Sequence, residues 1–413
     1  MTQRPFPEHK TAILVIHGIG EQNPFDTLDA FAGGFVRVYQ TQETDVTVQH
    51  RLEGRTGANG SQWLESFVRL KSPDSDGYVD IHEYYWAYMT EEKISYLEVM
   101  QWLKKTLHGA KESFDEFKEA FGLSRKGWRN YWWRLNSMIW HLRTFLWIVR
   151  VASFVVKLTG FAIPWARWIS GVGKKFESLA TPTIVGYIGD IAIYTTMDTK
   201  SKHYELRRKI IAESLTLLKS ILEQEENGSP VYERVIVAGH SLGSVIAYDT
   251  LSRLNLEKTL TKNGSVPVEK VTGLVTFGSP LDKIAFFFRD HVGKDQVIRR
   301  QILDQLHSFR ARWGEVKPKR HQALEVESSI TDHFHGLPWL NVYDWNDPIS
   351  GKLEFYNVDH NIEVRLPAIW PHGSRHPKRA GWGVAHVKYW NDPAFFGAII
   401  DKILSHKRTT HHR

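Results

Sequence analysis

The stretch "RVIVAGHSLGSVIAYD", Arg234 to Asp249, decides how the chain is read. Arg234–Ala238 is a short apolar run rich in β-branched residues and reads as a buried strand. Ser244–Leu254 reads as a helix, with Val245, Ile246, Leu251 and Leu254 apolar at helical spacing. Between them Gly239-His240-Ser241-Leu242-Gly243 must turn sharply. Gly-x-Ser-x-Gly arises by chance in roughly one chain in eight of this length, so the pentapeptide alone decides little. The strand, tight turn and helix around it decide more, because that geometry lifts a serine hydroxyl above the edge of a sheet. Small flanking glycines let strand and helix approach closely. The helix N-terminus behind the serine favours developing negative charge.

The same alternation extends outward. "TAILVIHG" (Thr11–Gly18) is an apolar run followed by the helix-like "DTLDAFAGGFVRVYQ". "DVTVQHRL" (Asp45–Leu52) alternates as a half-buried strand does, and "YVDIHEYYWA" (Tyr78–Ala87), "KVTGLVTFGSP" (Lys270–Pro280) and "PWLNVYDWNDP" (Pro338–Pro348) are strand-like. Helical patterns fall at His203–Glu226, Val297–Phe309 and Pro393–His406. Strands alternating with helices predict an α/β fold with a mostly parallel central sheet and helices on both faces. Residues 1–90 and 185–413 are expected to form this core. Residues 91–184, where the alternation breaks, are expected to be a helical insertion.

The 413 residues are 42% hydrophobic and 24% charged, which suffices for a large buried core. There is no cysteine, so disulfides, thiolate catalysis and Cys-ligated zinc are excluded, and a reducing compartment fits. The first apolar run contains His17 and flows into a glycine turn without a small-residue cleavage site, so no signal peptide is expected. A net charge of +7 points to an anionic partner.

A serine hydroxyl is a weak nucleophile without a base. In this class of site the chain order is serine, acid, histidine, so the partners of Ser241 are sought downstream. "WLNVYDWNDP" offers Asp344 and Asp347 just past a strand. Asp347 is favoured because it lies further into the turn, where a carboxylate can reach across to an imidazole; Asp344 is the alternative acid. The base is expected on a late loop before the last helix, where "GWGVAHVKYW" places His386. His372 and His376, in the basic loop "WPHGSRHPKR", are the alternatives. An oxyanion needs backbone donors. The residue after the nucleophile, Leu242, supplies one, and Ile19 or Gly20 in "HGIG" (His17–Gly20) supplies the other.

Together "VIHGIG", "GHSLGSVIAYD", "VTFGSPLD", "YDWNDP" and "AHVKYW" resemble the α/β-hydrolase superfamily, and within it the lipases and esterases. The resemblance covers roughly residues 10–90 and 185–405 and is loosely similar to intracellular phospholipase A1-type lipid hydrolases. It implies a Ser241–His386–Asp347 triad, with His386 as general base and then acid, and an acyl-enzyme intermediate. It implies no metal and no organic cofactor. The Ala120–Phe176 stretch is not part of the shared core.

That stretch contains no Asp or Glu. Arg143, Arg150 and Lys157 recur every seven residues and form a narrow stripe on a helix, with Trp140 and Trp147 beside it in an otherwise apolar segment. A single membrane crossing here would separate "HGIG" from Ser241, which must share one site. An interfacial helical lid is therefore expected, its basic stripe against anionic headgroups and Trp at the boundary. A lid packed on the core is the alternative. Nucleic acid is not an expected partner, because the basic residues interleave with long aliphatic runs. "IAFFFRD" (Ile284–Asp290) places Phe286–Phe288 where an acyl chain or the core is expected.

The expected function is a serine ester hydrolase acting on membrane lipid esters, a phospholipase or acylglycerol lipase. Its expected location is cytoplasmic and peripheral to a membrane. A soluble carboxylesterase or thioesterase with a packed lid, and a non-catalytic membrane-associated protein on a hydrolase scaffold, are the competing readings.

Overall fold

The computed structural model describes residues 4–18, 23–56, 62–89, 202–261, 266–282, 298, 302, 309–310, 327–344, 347, 350–366, 386 and 388–405. The expected insertion at 91–184, "IAFFFRD" and nearly all of the helical pattern at Val297–Phe309 lie outside these residues.

Ten strands and four α-helices are described: β1 (Lys10–Ile16), α1 (Asp26–Gln40), β2 (Thr47–Thr56), β3 (Gln62–Lys71), β4 (Tyr78–Tyr84), α2 (Lys202–Leu222), β5 (Glu225–Glu226), β6 (Ser229–Pro230), β7 (Arg234–His240), α3 (Leu242–Leu260), β8 (Val271–Phe277), β9 (Trp339–Tyr343), β10 (His360–Glu363) and α4 (Pro393–Ile399). α4 runs on into a π-helical turn at Ile400–Leu404. Eight strands form one sheet in the order β10-β9-β8-β7-β1-β4-β3-β2, and β5 and β6 make a separate two-stranded ribbon. From β4 through β1 to β10 every pairing is parallel, whereas β2 and β3 add an antiparallel edge. The molecule is thus an α/β protein with a mostly parallel, mixed sheet.

The central strands are apolar on both sides because both sides are covered. On β1, Ala12, Leu14 and Ile16 join a core with α2 and α3 that includes Leu218, Leu222, Val245 and Leu251. Ile13 and Val15 point the other way, into a core with α1 and α4 that includes Phe31, Phe35, Phe395 and Phe396. This two-sided burial explains why β1 and β7 read as unbroken apolar runs rather than as alternations. Every residue of β7 is buried.

β3 and β10 are not among the strands expected from sequence. The apolar residues Leu64, Phe67, Val68 and Leu70 of β3 have a spacing that suits a helix equally well. Pairing with β2 along its length and with β4 at Phe67–Lys71 makes it a strand.

The order of the sheet also locates a topological switch point. The chain runs from β1 to the far edge at β2, returns inward through β3 to β4 beside β1, then crosses to β7 on the other side of β1 and continues outward to β10. Loops leaving the carboxyl ends of β1 and β7 therefore part to opposite faces, which is where open α/β sheets bind ligands.

Candidate active site

Ser241 lies at this switch point, buried between the last residue of β7 and the first of α3. Its φ is 54° and its ψ is −127°, a conformation that a residue with a side chain rarely adopts. Such strain costs on the order of 1–3 kcal/mol and persists only when the surroundings hold it. Here they do. The Ser241 N–H donates to the Phe277 carbonyl of β8 at 3.0 Å. The Ser241 carbonyl accepts the Ser244 N–H at 3.0 Å and the Ser244 hydroxyl at 2.5 Å. Ser244 Oγ is in turn 2.7 Å from Ser279 Oγ. Leu242 opens α3, so its N–H is among those the helix leaves without an internal partner.

Close approach of backbones sets the turn. A methyl group on Gly243 would lie 2.2 Å from the Ile16 carbonyl oxygen and 2.3 Å from that of His17. A methyl on Gly18 would lie 2.7 Å from Ser241 Cβ. Only hydrogen fits at these positions, and the end of β1 is thereby pressed against the elbow. Gly243→Ala is expected to destabilise the fold by about 3 kcal/mol or more, because the obstructing atoms are backbone. Urea unfolding checks this against Gly54→Ala, whose methyl would meet nothing within 4 Å.

Asp347 and His386 come from beyond β9 and β10. His386 Nδ1–H donates to Asp347 Oδ2 at 2.8 Å, and both residues are buried. With that proton on Nδ1, Nε2 is the nitrogen left to act as a base. Asp344 is equally buried but turns its carboxylate to the backbone, accepting the Leu366 N–H on Oδ2 at 2.7 Å. Its carbonyl accepts the Asp347 N–H at 3.0 Å, which shapes the turn that carries Asp347. Of the two carboxylates it is Asp347 that the structure pairs with His386. His240, the residue before Ser241, packs against this pair. Its Nε2–H donates to the His386 carbonyl at 2.9 Å, and the two rings are 4.8 Å apart. Burial, and next the neighbouring His386, lower His240 to about 3, so it stays neutral and keeps that donor.

Tyr389 completes the arrangement and was not found from sequence. Its hydroxyl donates to Asp347 Oδ2 at 3.0 Å, accepts the Asp344 N–H at 3.0 Å and lies 2.9 Å from Ser350 Oγ. The Asp347 oxygen facing His386 thus receives two hydrogen bonds. Burial, and next Asp347, raise Tyr389 far above the ordinary tyrosine range, so it remains a donor. Its only sequence signal is a position three residues after His386. Tyr389→Phe removes a charge-assisted hydrogen bond worth about 1.5–3 kcal/mol. A fall in kcat of at least about tenfold is expected with KM little changed, measured by steady-state kinetics.

The remaining expected residues are placed as follows. Leu242 is buried at the start of α3. Ile19, Gly20, His372 and His376 lie outside the described residues, as do Arg143, Arg150, Lys157, Trp140 and Trp147. Among the described residues no helix is long and apolar enough to cross a membrane. Comparison of the chain with protein-family models, with curated proteins and with solved structures finds no match.

Proposed function

We propose that the chain is a serine ester hydrolase of the α/β-hydrolase type, with Ser241, His386 and Asp347 as its triad. The observation that carries this reading is a serine held at φ 54° on a strand–helix turn while a hydrogen-bonded His–Asp pair packs against the residue beside it. A structural turn has no use for a buried imidazole aligned on a buried carboxylate.

In this reading Ser241 Oγ attacks the ester carbonyl carbon and His386 Nε2 takes the hydroxyl proton. The carbonyl oxygen becomes an oxyanion, received by the Leu242 N–H and by a donor of the β1–α1 connection, Ile19 or Gly20. The tetrahedral intermediate collapses, the bond to the leaving alcohol breaks, and His386 returns the proton to that oxygen. Water then attacks the acyl-enzyme with His386 again as base, releasing the acid and restoring Ser241. Asp347 holds the imidazole in the required tautomer and stabilises the imidazolium.

Membrane lipid esters are the proposed substrates. The support is the sequence of residues 91–184, where basic and tryptophan side chains interleave with aliphatic runs as in an interfacial lid. The test is a panel of phospholipids and acylglycerols in anionic vesicles, with short-chain soluble esters alongside. Fatty acid released from vesicles by wild type and not by Ser241→Ala supports the reading. Turnover of the soluble esters alone, indifferent to vesicles, favours a soluble carboxylesterase or thioesterase. No turnover and no fluorophosphonate labelling of Ser241 favours a non-catalytic scaffold.

A further inference from the structure

His240 is the last residue of β7 and the neighbour of Ser241, so whatever its ring grips is tied to the nucleophile turn. The ring stands in apolar surroundings. The rings of Phe277 and Trp390 are 5.0 and 4.9 Å away, and the whole of β7 is buried. A valine or leucine would fill such a place without the cost of burying a polar ring. The imidazole offsets that cost with a directional bond, its Nε2–H meeting the His386 carbonyl at 2.9 Å.

The ring has little play. On one rim a methyl group on Gly18 would lie 3.1 Å from its Nδ1. On the other rim stands Gly278, at φ 59°. A methyl there would lie 3.1 Å from His240 Nε2 and 3.1 Å from His386 Cε1. Gly278 is itself tied to β9, its N–H donating to the Val342 carbonyl at 3.1 Å. Trp390 is tied to α1, its carbonyl accepting from Arg37 Nη2 at 2.7 Å. The slot around His240 is thus built by elements that the sheet and α1 hold in place.

The side chain of His386 is oriented by Asp347, which Tyr389 bonds in turn. Neither of these bonds involves β7 or α3, between which the nucleophile stands. The bond from His240 does. It takes the backbone of residue 386 and sets it against the residue beside Ser241.

We propose that His240 is a positioning residue of the active site, fixing the backbone of the base His386 relative to the nucleophile turn through its bond to the His386 carbonyl. The proposal rests on the acyl-transfer reading. A reacting constellation has to be held within about 0.5 Å of its productive geometry, and this bond spans its two halves. The titratable groups near the ring are His386, Asp347 and His17, and His240 stays neutral down to about 3. The link therefore does not change with pH over the ordinary working range. Its loss is expected to lower the pH–rate profile without displacing it.

The test compares wild type with His240→Leu, His240→Gln and His240→Asn in the full chain. The readouts are kcat and KM on the panel of vesicle-borne and soluble esters, and the rate of fluorophosphonate labelling of Ser241. His240→Leu is expected to lose about a hundredfold in kcat and in labelling rate with KM little changed, the size of effect that misplacing a reacting group by an ångström has. The Gln amide places an N–H where imidazole Nε2 stands, so His240→Gln is expected to return to within about tenfold of wild type. The shorter Asn amide falls at the Nδ1 position and is expected to behave like Leu. It serves as the donor-free variant should His240→Leu not fold, with circular dichroism and urea unfolding as the check. A folded His240→Leu or His240→Asn as active as wild type overturns the proposal alone. So does a loss confined to KM, a His240→Gln no better than His240→Asn, or a displaced pH profile, which would mean that His240 acts on the ionisation of the base. A wild type that neither labels at Ser241 nor turns over ester overturns the acyl-transfer reading itself.

Discussion

Ser241→Ala is expected to lower kcat by roughly a millionfold and to abolish fluorophosphonate labelling, while the fold survives. The chemical half of this expectation is simple: among the described residues, the neighbouring hydroxyls are engaged elsewhere. Ser244 and Ser279 bond each other, and Ser244 also bonds the Ser241 carbonyl, beneath the turn. The structural half follows from what holds the turn. The bonds to Phe277 and Ser244 use the backbone of residue 241, and the contact with Gly18 uses its Cβ; alanine keeps both. Stability is therefore expected to change by no more than about 1 kcal/mol. Circular dichroism and urea unfolding check the fold, and labelling with the kinetics checks the chemistry. A folded variant that retains labelling or more than a small fraction of the activity would falsify the assignment of the nucleophile.

The second large effect separates two neighbouring carboxylates. Asp347→Asn is expected to lower kcat by about ten-thousandfold. The amide presents an N–H as well as an oxygen, and donation from it to His386 Nδ1 places the imidazole in the wrong tautomer, with its proton on Nε2. Charge stabilisation of the imidazolium is lost at the same time. Asp344→Asn keeps an oxygen for the Leu366 N–H and leaves the His386–Asp347 bond untouched. Its kcat is expected to fall by less than about tenfold, as loss of charge on a structural hydrogen bond does. The ratio of the two effects is the measurement. If Asp344→Asn proves the more damaging, the acid is Asp344 and the pairing with Asp347 is not the one used in catalysis.

How legible each part was follows from the range of the forces that made it. The turn at Ser241 was legible because strand, glycine-flanked serine and helix are contiguous, and each is a local preference of its own residues. β1 and β7 were legible because burial on both faces leaves an unbroken apolar run. β3 was not, since Leu64, Phe67, Val68 and Leu70 fit either period until β2 and β4 pair with it. The sequence placed both Asp344 and Asp347 in one turn and could only rank them. Their roles separate by the partners each carboxylate takes, the Leu366 N–H for Asp344 and His386 with Tyr389 for Asp347.

By itself, then, the amino-acid order determined an α/β chain with a serine on a glycine-flanked turn, which the structure buries rather than exposes, and a short menu of downstream acids and bases. Tertiary structure decided the partners. Gly18 meets Ser241, His240 holds the His386 carbonyl, and Tyr389 and His386 share one oxygen of Asp347. These contacts join residues far apart in sequence, at distances fixed by sheet order and register. Local propensity carries no information about them, because it acts over a few residues while the crossovers that bring strand ends together span tens to hundreds.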